Sequence, residues 1–276
     1  SESFAAIAYG EFAQATGKNA YADKARACFR RFIDHNLNPQ GVRPKFTDVR
    51  PTRGIGFPMI TINTAQELRG SIGLEDADAI IDRAIDDIRT YHVKSDIECV
   101  METVAPDGSL IDHFDGRTLK PGHAIEGAWF IMLEGKHRGD DALIQLGCQM
   151  LDWMWRRGWD EEYGGLLYFV DVNGLPVQEY WHDMKFWWPQ NEAIIATLIA
   201  FRLTGNSKYA YWHAKVHDWS YQHFPDAEHG EWYGYLHRDG RISVTLKGNL
   251  WKGPFHLPRM QLMCWQTLDE CFPSLT

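Results

Sequence analysis

The chain has 276 residues, 45% of them apolar and 24% charged, with a formal net charge of −9. That length can bury a full core, and an acidic balance without a basic stripe excludes a phosphate-backbone partner. No apolar run reaches membrane-spanning length, and the first residues do not read as a signal peptide.

In chain order, apolar periodicity predicts helices over 2–17, 20–36, 57–70, 75–92, 123–136, 139–157, 187–204, 207–223 and 255–271. Stop and start signals such as Thr16-Gly17-Lys18-Asn19, Gly70-Ser71-Ile72-Gly73 and Thr204-Gly205-Asn206-Ser207 join several of them tightly. Turns that short make sequential helices antiparallel neighbours. No low-complexity linker divides the chain, so a single domain over 1–276 is expected.

An internal repeat runs through the second half. Asp160-Glu161-Glu162-Tyr163-Gly164-Gly165, followed by Asn173-Gly174, recurs 66 residues later as Asp226-Ala227-Glu228-His229-Gly230-Glu231, followed by Asp239-Gly240. The same offset maps Trp153 onto Trp219 and Glu126 onto Glu192. Each unit reads as a helical hairpin followed by a β-hairpin excursion, with strands from Leu166–Val170 and Trp232–Leu236. A weaker version lies between about 97 and 118, ending at Asp107-Gly108. Repeated hairpins stack into a solenoid or close into a ring. The expected class is all-α, helical hairpins with short β-hairpin excursions, arranged as an open solenoid or, if six hairpins close into a ring, as an (α/α)6 barrel. Twelve helices fill such a barrel, so in that arrangement the nine predicted here imply that an N-terminal part of the barrel lies outside this chain.

Three segments could carry chemistry. In Pro121-Gly122-His123-Ala124-Ile125-Glu126 the histidine sits in a first helical turn with Glu126 one turn on, on the same face. A neutral imidazole there serves as a base near neutral pH. The local sequence alone favours a helix cap with Glu126 completing a capping box. In Lys185-Phe186-Trp187-Trp188-Pro189-Gln190-Asn191-Glu192 a carboxylate enters an apolar helix, which is costly unless it is paired or functional. Its repeat equivalence to Glu126 points both carboxylates inward. In Gly253-Pro254-Phe255-His256-Leu257-Pro258-Arg259 a second histidine opens a helix, and Arg259 follows one turn on, suited to clamping a hydroxyl or an anionic group. Trp187 and Trp188 offer faces on which sugar C–H groups stack, and Asn63 and Gln66 offer polar contacts from the helix after Phe57-Pro58-Met59.

Metal chemistry is not expected. The five cysteines form no CxxC pair, and His213 and His217 lack a third ligand. Scattered, reduced cysteines fit a cytoplasmic protein.

The Pro-Gly-His123-Ala-Ile-Glu126-Gly-Ala-Trp, Lys-Phe-Trp187-Trp188-Pro-Gln-Asn-Glu192-Ala and Gly-Pro-Phe-His256-Leu-Pro-Arg259 segments together resemble the N-acylglucosamine 2-epimerase family. So do Glu228–Tyr235 and Phe57-Pro58-Met59-Ile60 with its Ala65-Gln66-Glu67-Leu68 continuation. The resemblance implies an (α/α)6 barrel, catalytic histidines at His123 and His256 and an essential glutamate at Glu192. An arginine from the early part of the family's barrel has no counterpart here. It also implies interconversion of N-acetyl-D-glucosamine and N-acetyl-D-mannosamine, no chemically required cofactor, and ATP as an activator that is not consumed. No phosphate-binding loop for that ATP is legible.

On that reading one imidazole removes the C2 proton of the ring-opened sugar and the other returns a proton to the opposite face. Glu126, Arg259, Trp187, Trp188, Asn63 and Gln66 hold the substrate. The expected partners are a small amino sugar or related sugar and, as a homodimer, a second copy of the chain, with neither nucleic acid nor membrane. Alternatives on the same fold are a cellobiose 2-epimerase or mannose-type aldose–ketose isomerase, a glycoside hydrolase using Glu126 and Glu192, and a non-catalytic binding protein.

Overall fold

The computed structural model describes residues 1–39, 41 and 49–271. They form two compact units, one of Ser1–Val93 with Thr103–Ile111, the other of Lys94–Glu102 with Asp112 onward.

The first unit holds two helical hairpins. Helix α1 spans Glu2–Thr16 and α2 Asn19–Leu37; α3 spans Gly56–Ile72 and α4 Ala77–Asp87. α1 packs on both α2 and α3, and α3 packs on α4. The expected helix over 75–92 is shorter, because its last turn, Ile88–His92, widens into a π-helical turn before the chain leaves as strand. Arg53-Gly54 pairs antiparallel with Thr103-Val104. The Asp107-Gly108 turn forms as expected, closed by the Ala105 N–H donating to Ser109 O at 3.0 Å.

The second unit holds the repeat. A four-residue helix that periodicity does not reveal, α5 (Phe114–Arg117), precedes α6 (Pro121–Arg138), α7 (Asp141–Gly158), α8 (Trp187–Thr204), α9 (Ser207–His223) and α10 (His256–Cys271). α6–α7 and α8–α9 are hairpins; α8 also packs against α6 and α10. α8 is buried nearly all round, as an apolar helix without a polar stripe must be. The first helix of all four hairpins ends on a left-handed glycine: Gly17, Gly73, Gly139 and Gly205 have φ between 63° and 67°. Asp140 and Asn206 then cap the next helix by accepting from its first amides.

The 66-residue repeat is a repeat of hydrogen bonds. Asp160 Oδ1 accepts from the Glu162 and Tyr163 amides, and Asp226 Oδ1 from the Glu228 and His229 amides. The isolated bridge between Trp159 and Leu166 recurs between Pro225 and Trp232. Gly165 (φ 72°) is matched by Glu231 (φ 64°), so the second copy forces a glutamate into left-handed backbone.

The excursions differ from the expected pair of hairpins. Val170-Asp171 pairs antiparallel with Thr118-Leu119 rather than with residues beyond the Asn173-Gly174 turn. Lys185-Phe186 pairs with Tyr235-Leu236, tying one repeat to the next. The first excursion folds back through single hydrogen bonds, Tyr168 N–H to Met184 O at 3.2 Å and Phe169 N–H to His182 O at 2.9 Å; in the second, Leu236 is bridged to Ile242 around Asp239-Gly240.

Candidate active site

Three helix starts meet in the second unit. His123 lies in the first turn of α6, Trp188 in the first turn of α8, and His256 is the first residue of α10. The Trp188 indole touches both imidazoles, with ring centroids 5.1 Å from His123 and 5.6 Å from His256. Trp187 meets His256 edge-on at 6.1 Å, and Tyr168 meets Trp188 edge-on at 6.0 Å. The two histidine side chains are 28% and 22% exposed, so both are reachable from solvent. Gly122 makes the approach possible: a Cβ there would lie 2.6 Å from the Trp188 ring and 2.9 Å from Pro189.

One turn deeper, the same helices present Glu126, Glu192 and Arg259. Arg259 donates to Glu126 and, at 2.7 Å, to Glu192 Oε1. Glu192 is fully buried, and Trp129 Nε1 donates to its Oε2 at 2.9 Å. His256 Nδ1 lies 2.7 Å from Glu192 Oε1 but 3.4 Å from the Arg259 guanidinium. The shorter, charge-assisted contact decides the tautomer, so Nδ1 carries the proton and Nε2 is left as the basic nitrogen.

Burial alone would raise the Glu192 carboxyl. The Arg259 charge and the His256 hydrogen bond outweigh it and hold it down to about 2. Burial lowers and the two carboxylates raise Arg259, with a net shift upward.

His123 does not cap its helix, contrary to what the local sequence favours. α6 has no side-chain cap, and Glu126 faces Arg259 rather than the helix start. His123 instead directs Nδ1 at Glu102, 3.0 and 3.1 Å from its two carboxylate oxygens. Lys120 Nζ donates to the same carboxylate at 3.2 Å. Burial opposes ionisation of Glu102, but the His123 and Lys120 contacts prevail and hold it down to about 2. Sequence reasoning missed Glu102, Lys120 and Trp129. Lys185, just before the tryptophan pair, is fully buried and donates to Asp160 at 2.8 Å.

Of the predicted site residues, His123, His256, Glu192, Glu126, Arg259, Trp187 and Trp188 are therefore gathered. Asn63 and Gln66 lie on α3 in the first unit, where the buried Asn63 donates to Glu67 at 3.4 Å. Glu126, Glu192 and His256 bring potential ligand atoms within 4.8 Å of one another, but Arg259 already occupies that cluster with its own cation.

An acid-stability prediction follows from the two depressed carboxyls. In the unfolded chain they take up protons near pH 4.5; in the folded protein they resist until about 2. Their contribution to stability is thus full above about 4.5 and lost as pH falls towards 2. Glu102→Gln should reduce the steepness of acid unfolding across that window by close to one proton, read from denaturant midpoints against pH. An unchanged slope would mean that Glu102 is not held ionised by its partners.

Comparison with solved structures defines the class first. A D-mannose isomerase superposes with a TM-score of 0.79 at 17% identity, covering 98% of this chain and 71% of that one. A cellobiose 2-epimerase from Bacillus thermoamylovorans superposes with a TM-score of 0.80 at 17% identity, covering 95% and 70%. At that identity the likeness establishes the fold, the (α/α)6-barrel class, one of the two arrangements expected from the hairpin repeat. The chain belongs to the N-acylglucosamine 2-epimerase family, whose sequence model matches residues 1–256. The Bos taurus N-acylglucosamine 2-epimerase is 33% identical over 288 aligned positions, covering all of this chain. The chain spans about two-thirds of that relative's length.

Proposed function

We propose that this chain carries the proton-transfer site of a sugar 2-epimerase that interconverts N-acetyl-D-glucosamine and N-acetyl-D-mannosamine. The observation that carries the reading is the pair of imidazoles against one indole, each tied through Nδ1 to a carboxylate, the half-buried Glu102 for His123 and the buried Glu192 for His256. In the open-chain sugar the C2 proton is acidic because the C1 carbonyl takes up the charge as an enolate. One Nε2 removes that proton, and the other imidazole returns one to the opposite face, inverting C2. Imidazole as a side-chain type suits proton transfer near neutral pH. Trp188 supplies an apolar wall against which a sugar face packs. The chemistry needs no cofactor; ATP is assigned the part of an activator that is not consumed. The family resemblance supports the part given to ATP, the free cysteines support a cytoplasmic location, and a homodimer is proposed beside them.

A glycoside hydrolase is disfavoured by a specific contact. Glu126 and Glu192 share one guanidinium, and Glu192 is held down to about 2, the reverse of what a general acid at a glycosidic oxygen needs.

The test is C2 exchange in deuterated water with N-acetylmannosamine, mannose and cellobiose supplied separately, followed by proton NMR. Exchange and epimer formation with the N-acyl sugar is the expected result. Turnover confined to mannose or cellobiose would move the assignment to those substrates.

A further inference from the structure

We infer that Glu102 is a positioning residue for one of the two proton transfers only, the one that His123 carries out. The two imidazole–carboxylate pairs are built independently. His256 is held by Glu192, itself bonded to Arg259 and Trp129. His123 is held by Glu102, whose other bond goes to Lys120. Among the described residues, no hydrogen bond or ion pair joins these two sets.

The geometry gives Glu102 a definite task. Its two oxygens both lie within hydrogen-bond distance of His123 Nδ1, so the proton is fixed there and Nε2 is kept free of it. Lys120 neutralises the carboxylate and keeps it from leaving for solvent. Glu102 touches no reacting atom in this scheme. It acts through the imidazole alone, in the way an outer carboxylate orients a ligating or catalytic histidine elsewhere.

A base fixed on one face has a kinetic signature. When the His123 step slows, proton transfer by His123 limits the reaction in both directions, while transfer by His256 becomes a fast pre-equilibrium. The C2 proton is then in the isotope-sensitive position for one epimer and not for the other.

This inference rests on the two-base reading, and the experiment separates the two. C2-deuterated N-acetylglucosamine and N-acetylmannosamine are each turned over by the wild-type protein and by Glu102→Gln and Glu102→Asp. The expected result for Glu102→Gln is a kcat lower by about 10- to 100-fold with KM within about threefold. The isotope effect should rise for one epimer and fall towards unity for the other. Glu102→Asp should recover part of the rate and restore symmetry.

Failure of the wild-type protein to exchange C2 at all would remove the epimerase reading itself. A wild type that epimerises while Glu102→Gln changes both isotope effects equally, or neither, would overturn the positioning role alone. A second readout does not need turnover: the His123 ring nitrogens, observed by 15N NMR, should show a single Nδ1–H tautomer in the wild type and a mixture in Glu102→Gln. A single tautomer in both would also overturn it.

Discussion

Replacing either His123 or His256 with alanine should lower epimerisation by roughly 100- to 10,000-fold, the range that loss of a general base produces, yet should not abolish chemistry at C2. With His256 gone, His123 still reaches the proton of one epimer and can exchange it with solvent, but nothing stands on the other face to complete the inversion. The His256→Ala protein is therefore expected to wash deuterium into one epimer and return it unchanged. The His123→Ala protein should do the same with the other epimer. The double variant should lose both and fall no further than the non-additive limit of residues that act as a unit. The measurement is proton NMR of each epimer in deuterated water, scoring exchange and inversion separately. Exchange into both epimers by a single variant would point to one base serving both faces. Both side chains are partly exposed, so neither substitution should threaten the fold.

The reach of the sequence differs between the members of this site and the contacts that join them. The positions of the upper histidines and of the deeper carboxylates are legible: His123 and His256 follow Gly or Gly-Pro at helix starts, and the 66-residue offset puts Glu126 and Glu192 in register. What joins them is not. Arg259 and Glu126 are 133 positions apart, and only packing of α10 beside α8 brings the guanidinium between two carboxylates. Glu102 lies 21 positions before His123 in a stretch with no periodicity, so nothing local marks it as a partner. Strand pairing escapes the sequence for the same reason. Alternation places Val170 in a strand, but the partner, Thr118-Leu119, comes from far upstream and could not be chosen by turn chemistry. Helix existence is robust, whereas the π-helical turn at Ile88–His92 leaves no signature in residue type.

The largest stability effect is expected at Asp160, which joins the repeat to the site. Its carboxylate receives Lys185 at 2.8 Å and Arg238 at 2.8 and 3.1 Å, while Lys185 is fully buried. Burial lowers Lys185 to about 8 against the pull of Asp160, so the ammonium depends on this partner. Asp160→Ala strands that ammonium in the core and should cost about 3–5 kcal/mol in denaturant unfolding. Lys185→Met should cost less, because Arg238 and the Glu162 and Tyr163 amides still satisfy Asp160. The double variant should be more stable than Asp160→Ala alone, since it removes the stranded charge together with its partner. Simple addition of the two single losses would contradict this reading of the pair. The consequence also reaches catalysis. Lys185 sits two residues before Trp187 and three before Trp188, on the strand that leads into α8. Loosening that entry displaces the indole on which both imidazoles rest, so Lys185→Met should raise KM and lower kcat even at temperatures where the protein remains folded.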